Sequence, residues 1–187
     1  MDIKGAVARL SSRRGCTDAH PLQVLSHPDS RLAQLSLPID FDNEDASSIK
    51  QIVADLVAAM RAQNGVGLAA IQVGIPKRMF VYDDSETGTD ARVLINPRIV
   101  QRSEELLQEE EGCLSFPGLY RPVARNSSVV VEAFDVDGNP TTVQAEGFLA
   151  RVFQHEIDHL DGICFVEHLS DQDKKLALRE YFALPVG

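Results

Sequence analysis

The stretch of this chain best equipped for chemistry is Gln154-His155-Glu156-Ile157-Asp158-His159. Two histidines stand four residues apart, with a glutamate directly after the first. On a helix, residues i and i+4 lie one above the other on one face. Two imidazoles so placed can grip one metal ion, and the neighbouring glutamate can move protons on an activated water. A surface helix with two ordinary histidines would show the same six residues. The metal reading therefore needs a third ligand, an oxyanion donor and a substrate groove from elsewhere in the chain.

Known His-Glu-x-x-His sites differ in where the third ligand lies. A third histidine six residues after the second is ruled out, because that position is Phe165, although the glycine of that pattern is present as Gly162. A glutamate from a later helix stays open as Glu180. An upstream thiolate stays open as Cys113. One thiolate and two imidazoles leave a fourth position for water, which is a catalytic arrangement. The plainer reading of a lone cysteine is a small buried hydrophobe.

The elements that must position these residues fit one domain. The chain has 187 residues, 44% apolar and 25% charged, enough for a real core. Its net charge of −10 argues against a general binder of DNA or of an anionic membrane. No apolar run approaches the roughly 18 residues of a membrane span. Cys16, Cys113 and Cys164 are odd in number and widely spaced, a poor disulfide framework that fits a reducing, cytoplasmic compartment. Residues 1–20 read as a flexible N-terminal arm. They carry Lys4, Arg9, Arg13 and Arg14 without the apolar centre of a secretory signal; a trimmed organellar targeting remnant is the alternative.

Leu22, Val24 and Leu25 read as an extended piece on the core. A helix is expected from about Asp45 to Gln63, with Ile49, Ile52, Val53, Leu56, Val57 and Met60 on one face and Asn64-Gly65 as its stop. The glycine-rich stretch from Gly65 to Gly74 lacks the Lys-Ser/Thr of a phosphate loop and the glycine spacing of a dinucleotide site. Its glycines let a ligand's backbone approach closely. Gln72, the one amide there, reads equally as a turn cap. Strands are expected at Met79–Tyr82, Arg92–Ile95, Ile99–Gln101, Val129–Phe134 and Thr141–Ala145, with Asp137-Gly138 as a hairpin turn. Gly147 opens the histidine helix, whose apolar flanks Phe148, Leu149, Val152, Phe153 and Leu160 make it central and buried. Ile163–Val166 reads as a last short strand, with Cys164 in the core. Ser170 and Asp173 form a capping box for a helix at Asp171–Ala183, which has no clean apolar stripe. The fold class is α+β: short, mostly antiparallel strands in small sheets around a central metal-binding helix, with one N-terminal and one C-terminal helix.

Three segments together resemble the peptide deformylase family. They are Gly65-Val66-Gly67-Leu68-Ala69-Ala70-Ile71-Gln72, Glu111-Gly112-Cys113-Leu114-Ser115 and the histidine stretch, in the family's order and with similar spacing. The segment from Leu25 to Leu32 is similar to the family's N-terminal signature. The resemblance covers about residues 21–183, and residues 21–187 are expected to form a single metallohydrolase domain of this kind. It implies that Cys113, His155 and His159 bind the metal, natively Fe(II) and replaceable by Zn, Ni or Co. Glu156 would be the general base and acid. Gln72 and the backbone N–H of Leu114 would form the oxyanion hole. Gly67 and the strand around Glu111–Leu114, Gly112 included, would line the substrate; Val66, Phe148 and Val152 would contribute to a methionine pocket. Ile71 stands where many members have Pro or Thr, a tolerated place.

The implied activity is hydrolysis of the N-formyl group from the formylmethionine of newly synthesised polypeptides, with release of formate. The implied partners are an N-formylmethionyl peptide and, weakly, the ribosome through the C-terminal helix. There Lys174, Lys175 and Arg179 are offset by Asp171, Asp173 and Glu180. Two further readings are a thermolysin-like endopeptidase with Glu180 as third ligand and a non-catalytic metal-dependent binding module.

Overall fold

The computed structural model describes residues 22–85 and 87–184; the expected arm at residues 1–20 lies outside them. The first long element is α1 (Ala46–Ala62). Asp45 caps it, accepting a hydrogen bond from the Ser48 amide at 2.8 Å. Asn64 takes a left-handed φ of +53° just beyond its end, which polar Asn tolerates better than most residues. Ile49, Val53, Leu56 and Met60 recur at helical spacing and form its buried stripe.

Five antiparallel strands make the main sheet: β1 (Gly67–Ala69), β2 (Met79–Tyr82), β3 (Arg92–Arg102), then β6 (Ser128–Phe134) and β7 (Pro140–Glu146), in spatial order β1-β2-β3-β6-β7. Between β3 and β6 in the chain, β4 (Leu106–Cys113) and β5 (Phe116–Asn126) form a separate hairpin. Side chains alternate across a strand. Met79 and Val81 of β2 therefore join the α1 cluster, while Phe80 and Tyr82 join the cluster under α2 (Gly147–Leu160). The sheet is thus buried between the two helices, which is why β2 reads as an unbroken apolar run.

The structure alters four expectations. Arg92–Ile95 and Ile99–Gln101 belong to one strand, β3. Pro97 cannot donate to the ladder, and the register shifts between Ile95 and Arg98, so an irregularity absorbs it without ending the strand. The hairpin β4–β5 is much longer than the strand expected around Glu111–Leu114; the acidic run Glu109–Glu111 and prolines Pro117 and Pro122 obscure its alternation. Ile163–Val166 is not a strand: Phe165–His168 is a 3-10 turn. Phe165 and Val166 are nevertheless buried, packing with Phe116, Leu119 and Val123 of β5 and Ala177 of α3 (Asp171–Ala183). Phe148 is 63% exposed, because it sits on the cleft side of the first turn of α2.

Glu146 ends β7 and Gly147 begins α2 with no loop between, a reversal made with φ of +55° that glycine adopts without steric cost. α2 is buried almost all round, and Arg151, Gln154, His155, Glu156 and His159 are among its buried residues. Gln154 stitches it to β5 by accepting from the Asn126 amide at 3.1 Å and donating to the Asn126 carbonyl at 3.0 Å. α3 begins at Ser170, whose hydroxyl accepts from the Asp173 amide. Its Leu178 and Tyr181 pack inward while Leu176 and Phe182 face out. Among the described residues, no helix is long and apolar enough to cross a membrane.

Candidate metal centre and cleft

α2 presents His155 and His159 on the face turned toward the end of β4, where Cys113 lies. Cys113 Sγ is 3.1 Å from His159 Nε2, and the two histidine Nε2 atoms are 3.1 Å apart. The three donor atoms lie within 4.8 Å of one another, forming a group able to hold a metal ion.

The donor chemistry fits a cation. Glu111 Oε1 is 2.7 Å from His155 Nδ1. Two hydrogen bonds from Arg125 and one from Arg151 also reach this carboxylate. Burial alone would raise the Glu111 carboxyl, but the hydrogen bonds from His155 and Arg125 outweigh it and hold it well below the usual range. Burial would lower the His155 pKa, but its contacts with Cys113 and Glu111 outweigh this and hold it well above the ordinary value; Glu111 keeps the proton on Nδ1, so Nε2 is the nitrogen that would give up its proton to a cation. Burial, with the charge of His155, pushes His159 well below its ordinary pKa, so the His159 ring is neutral. A soft sulfur and two imidazole nitrogens then converge on one point, a donor set for a borderline or soft divalent ion.

Glu180 is not part of this group. Its side chain is half-exposed and ion-paired with Arg121 on the surface. Cys164 is also outside the group, at the edge of the third apolar cluster, where burial pushes its thiol up to about 12.

Beside the group opens a cleft of about 490 Å³. Gly67 of β1 and Gly112 of β4 line opposite walls, each on a strand that pairs on one side only. Cys113, His155 and Glu156 reach the cleft; His159 lies behind them. Val66, Phe148 and Val152 add apolar surface, and Leu114 lies at the β4–β5 turn on the same wall. Glu111 borders the cleft, yet its carboxylate is committed to His155 and the two arginines.

Glu156 is buried and its Oε2 has no protein partner among the described residues. Burial pushes its carboxyl up to about 7, where it can both take and give a proton near neutral pH. Gly67 makes room for it: a Cβ there would come within 2.5 Å of Glu156 Oε1 and 3.0 Å of Val152 Cγ1.

Gln72 sits in the 3-10 turn Ala70–Val73. The Ala69 amide donates to its Oε1 at 2.9 Å, which turns Nε2 toward the cleft. Nε2 is 3.2 Å from Ser115 Oγ and 3.5 Å from Cys113 Sγ. The segment Leu22–Asp29 braces both sides: the Leu25 amide donates to Gln72 O and the His27 amide to Ser115 O. Gln72 therefore both caps a turn and faces the cleft.

Sequence reasoning passed over Ser115, Arg125 and Arg151. Ser115 stands inside the quoted cysteine motif without a role of its own, and Arg125 carries no spacing signal, because its contacts join segments far apart in the chain. Arg151 did carry one, four residues before His155.

Residues 21–175 match the family model described as polypeptide deformylase. The chain belongs to this family. A peptide deformylase of Rhizobium meliloti is 40% identical over 163 residues, covering 86% of this chain and 91% of the relative. Among solved structures, a peptide deformylase from Legionella pneumophila has a TM-score of 0.80 at 37% identity, covering 88% of this chain and 95% of its own. A peptide deformylase from Acinetobacter baumannii with Met-Ala-Ser bound has a TM-score of 0.75 at 33% identity, covering 81% and 99%. Peptide deformylases are metal-dependent enzymes, and the Cys113–His155–His159 group is this chain's candidate metal site.

Proposed function

We propose that this chain hydrolyses the N-formyl group of N-terminal formylmethionine on newly made polypeptides, releasing formate and a free amino terminus. The observation that carries the reading is the convergence of Cys113, His155 and His159 beside Glu156 and Gln72 at one cleft. The bound Met-Ala-Ser of the Acinetobacter baumannii relative supports a peptide with methionine at its N-terminus as the ligand class. Residues 21–187 act as one catalytic domain under this reading.

Cys113, His155 and His159 would hold a divalent ion, Fe(II) in the native enzyme as the resemblance to the deformylases implies, with Zn, Ni or Co able to replace it. Such an ion supplies acidified water as a nucleophile near neutral pH. The peptide enters as an extended strand between the free edges of β1 and β4, read mainly by main-chain hydrogen bonds. Its methionine side chain meets Val66, Phe148 and Val152. Glu156 takes the proton released as water attacks the formyl carbon, then gives it to the departing amine as the C–N bond breaks. Gln72 Nε2–H and the Leu114 backbone N–H donate to the carbonyl oxygen as it gains negative charge. Formyl carries only hydrogen beyond its carbonyl, so a tight site accepts it and rejects acetyl.

Two coarser features go with this reading. A reducing, cytoplasmic compartment keeps the Cys113 thiol available as a ligand. Contact with the ribosome through α3 would be weak, because Lys174 is tied to Glu167 and the helix also carries Asp171 and Asp173.

The test is formate release from N-formyl-Met-Ala-Ser by protein purified without oxygen and loaded with ferrous ion. Turnover supports the reading, and a metal-loaded protein that releases no formate sinks it. Metal content separates the peptidase alternative: loss in Cys113→Ala with retention in Glu180→Ala is the expected pattern.

A further inference from the structure

We infer that Arg151 is a positioning residue for the metal grip: it fixes Glu111, and Glu111 fixes His155. This rests on the reading of His155 as a metal ligand. Arg151 stands one helical turn before His155, which itself stands one turn before His159, so the three side chains form a column on one face of α2. Arg151 is buried. Its guanidinium meets four acceptors. Nη1 donates to Glu111 Oε2 at 3.0 Å and to the Val123 carbonyl at 2.8 Å. Nη2 donates to the Leu107 carbonyl at 2.8 Å, and Nε reaches Glu109 Oε2 at 3.4 Å. One side chain of α2 thus ties both strands of the hairpin whose tip carries Cys113.

The consequence for Glu111 is geometric. Its Oε1 takes His155 Nδ1 and Arg125 Nη2, each at 2.7 Å. Its Oε2 takes Arg125 Nε at 3.1 Å and Arg151 Nη1 at 3.0 Å. With Arg125 alone, the carboxylate is held from one side and can turn with that guanidinium. Arg151 fixes it from the helix side, through the oxygen that does not meet His155 Nδ1. The lone pair on His155 Nε2 is directional, so a tilt of the ring misaims it at the ion. Partners behind a metal ligand typically change metal affinity by about 10–100-fold. Arg125 remains when Arg151 is removed, so the expected loss is the lower figure. Lysine cannot replace the fork, because one ammonium cannot span four acceptors in a plane.

The experiment is a double-mutant cycle on cobalt-loaded protein. The rate of Co(II) loss to a chelator and the thiolate-to-cobalt absorption are read for wild type, R151M, E111Q and E111Q/R151M, together with the thermal midpoints of the metal-free forms. The inference expects R151M to lose cobalt about tenfold faster than wild type, and to add nothing in the E111Q background. It is overturned if R151M loses cobalt at the wild-type rate, even with a lowered thermal midpoint, since that is a purely structural role. It is equally overturned if R151M speeds loss by the same factor in both backgrounds, since Arg151 then acts without Glu111. Should R151M not fold, R151K takes its place in the cycle, and the same two results overturn the inference. A wild-type protein that takes up no cobalt sinks the metal reading itself; a wild type that binds while both Arg151 variants hold cobalt as well sinks this inference alone.

Discussion

Glu111 Oε1 lies 2.7 Å from His155 Nδ1, and this contact decides which nitrogen of the ring faces Cys113. The pair spans two elements, β4 and α2, and both partners are buried. Under the proposed function Glu111 works at one remove from the ion, holding a ligand, while its neighbours Gly112 and Cys113 face the cleft.

Glu111→Gln keeps an acceptor for His155 but removes the charge that balances Arg125 and Arg151. Leaving buried cations without their counter-ion costs on the order of 3 kcal/mol. Metal affinity should fall about 10–100-fold as the hold on His155 loosens. Thermal unfolding of the metal-free protein and chelator competition of the loaded protein read the two effects separately. Unchanged values in both would remove Glu111 from the account.

Gly67→Ala places a methyl group against Glu156 Oε1 and Val152. The carboxylate has to move, and a displacement near 1 Å at a reacting group can cost about 10²-fold in rate. The variant should fold and hold metal while kcat for formate release falls by that order. An active Gly67→Ala would mean that Glu156 does not need its present place.

Gln72→Leu removes the side-chain donor proposed to meet the carbonyl oxygen. Removing one such donor costs about 10²–10³ in kcat. KM should change far less, because the bond strengthens as the oxygen becomes charged. Steady-state kinetics on a formylmethionyl tripeptide make the comparison, and a loss confined to KM would assign Gln72 to substrate binding.

Asp135 gives a pH test away from the cleft. Burial works against its ionisation, but hydrogen bonds from the Asn139 side chain and the amides of Asn139 and Asp137 outweigh it and hold its pKa below the ordinary carboxylate value. A depressed carboxyl contributes stability that is present above its unfolded pKa and lost as pH falls through its folded one. Wild type should therefore exceed Asp135→Asn in urea midpoint near neutral pH, and the gap should close as the solution is acidified. A gap that stays constant with pH would place the effect elsewhere.

What the sequence shows of this site follows from how each contact is encoded. His155 and His159 are legible because helical spacing alone puts them on one face. The histidine helix, α1 and most strands of the main sheet follow from their apolar patterns and end signals such as Asn64, and α3, which has no clean stripe, from its capping pair Ser170 and Asp173. Cys113 stands in the sequence as one of two open third ligands and Gln72 equally as a turn cap; only the resemblance of three short motifs selects them, since no local spacing links either to α2. The hairpin β4–β5 is hidden because acidic residues and prolines interrupt its alternation, and a short apolar run such as Ile163–Val166 does not distinguish strand from turn. The burial of Arg125 and Arg151 runs against what their charge suggests, and only the fold shows that Glu111 sits between them.

The central claim is that one cleft joins a Cys113–His155–His159 metal grip to proton transfer by Glu156. The most direct measurement is formate release from N-formyl-Met-Ala-Ser by wild type and Glu156→Gln, each loaded to the same metal content. Wild type should turn over, and Glu156→Gln should be slower by about 10²–10⁴-fold with its metal retained. Equal rates from the two proteins would contradict the account.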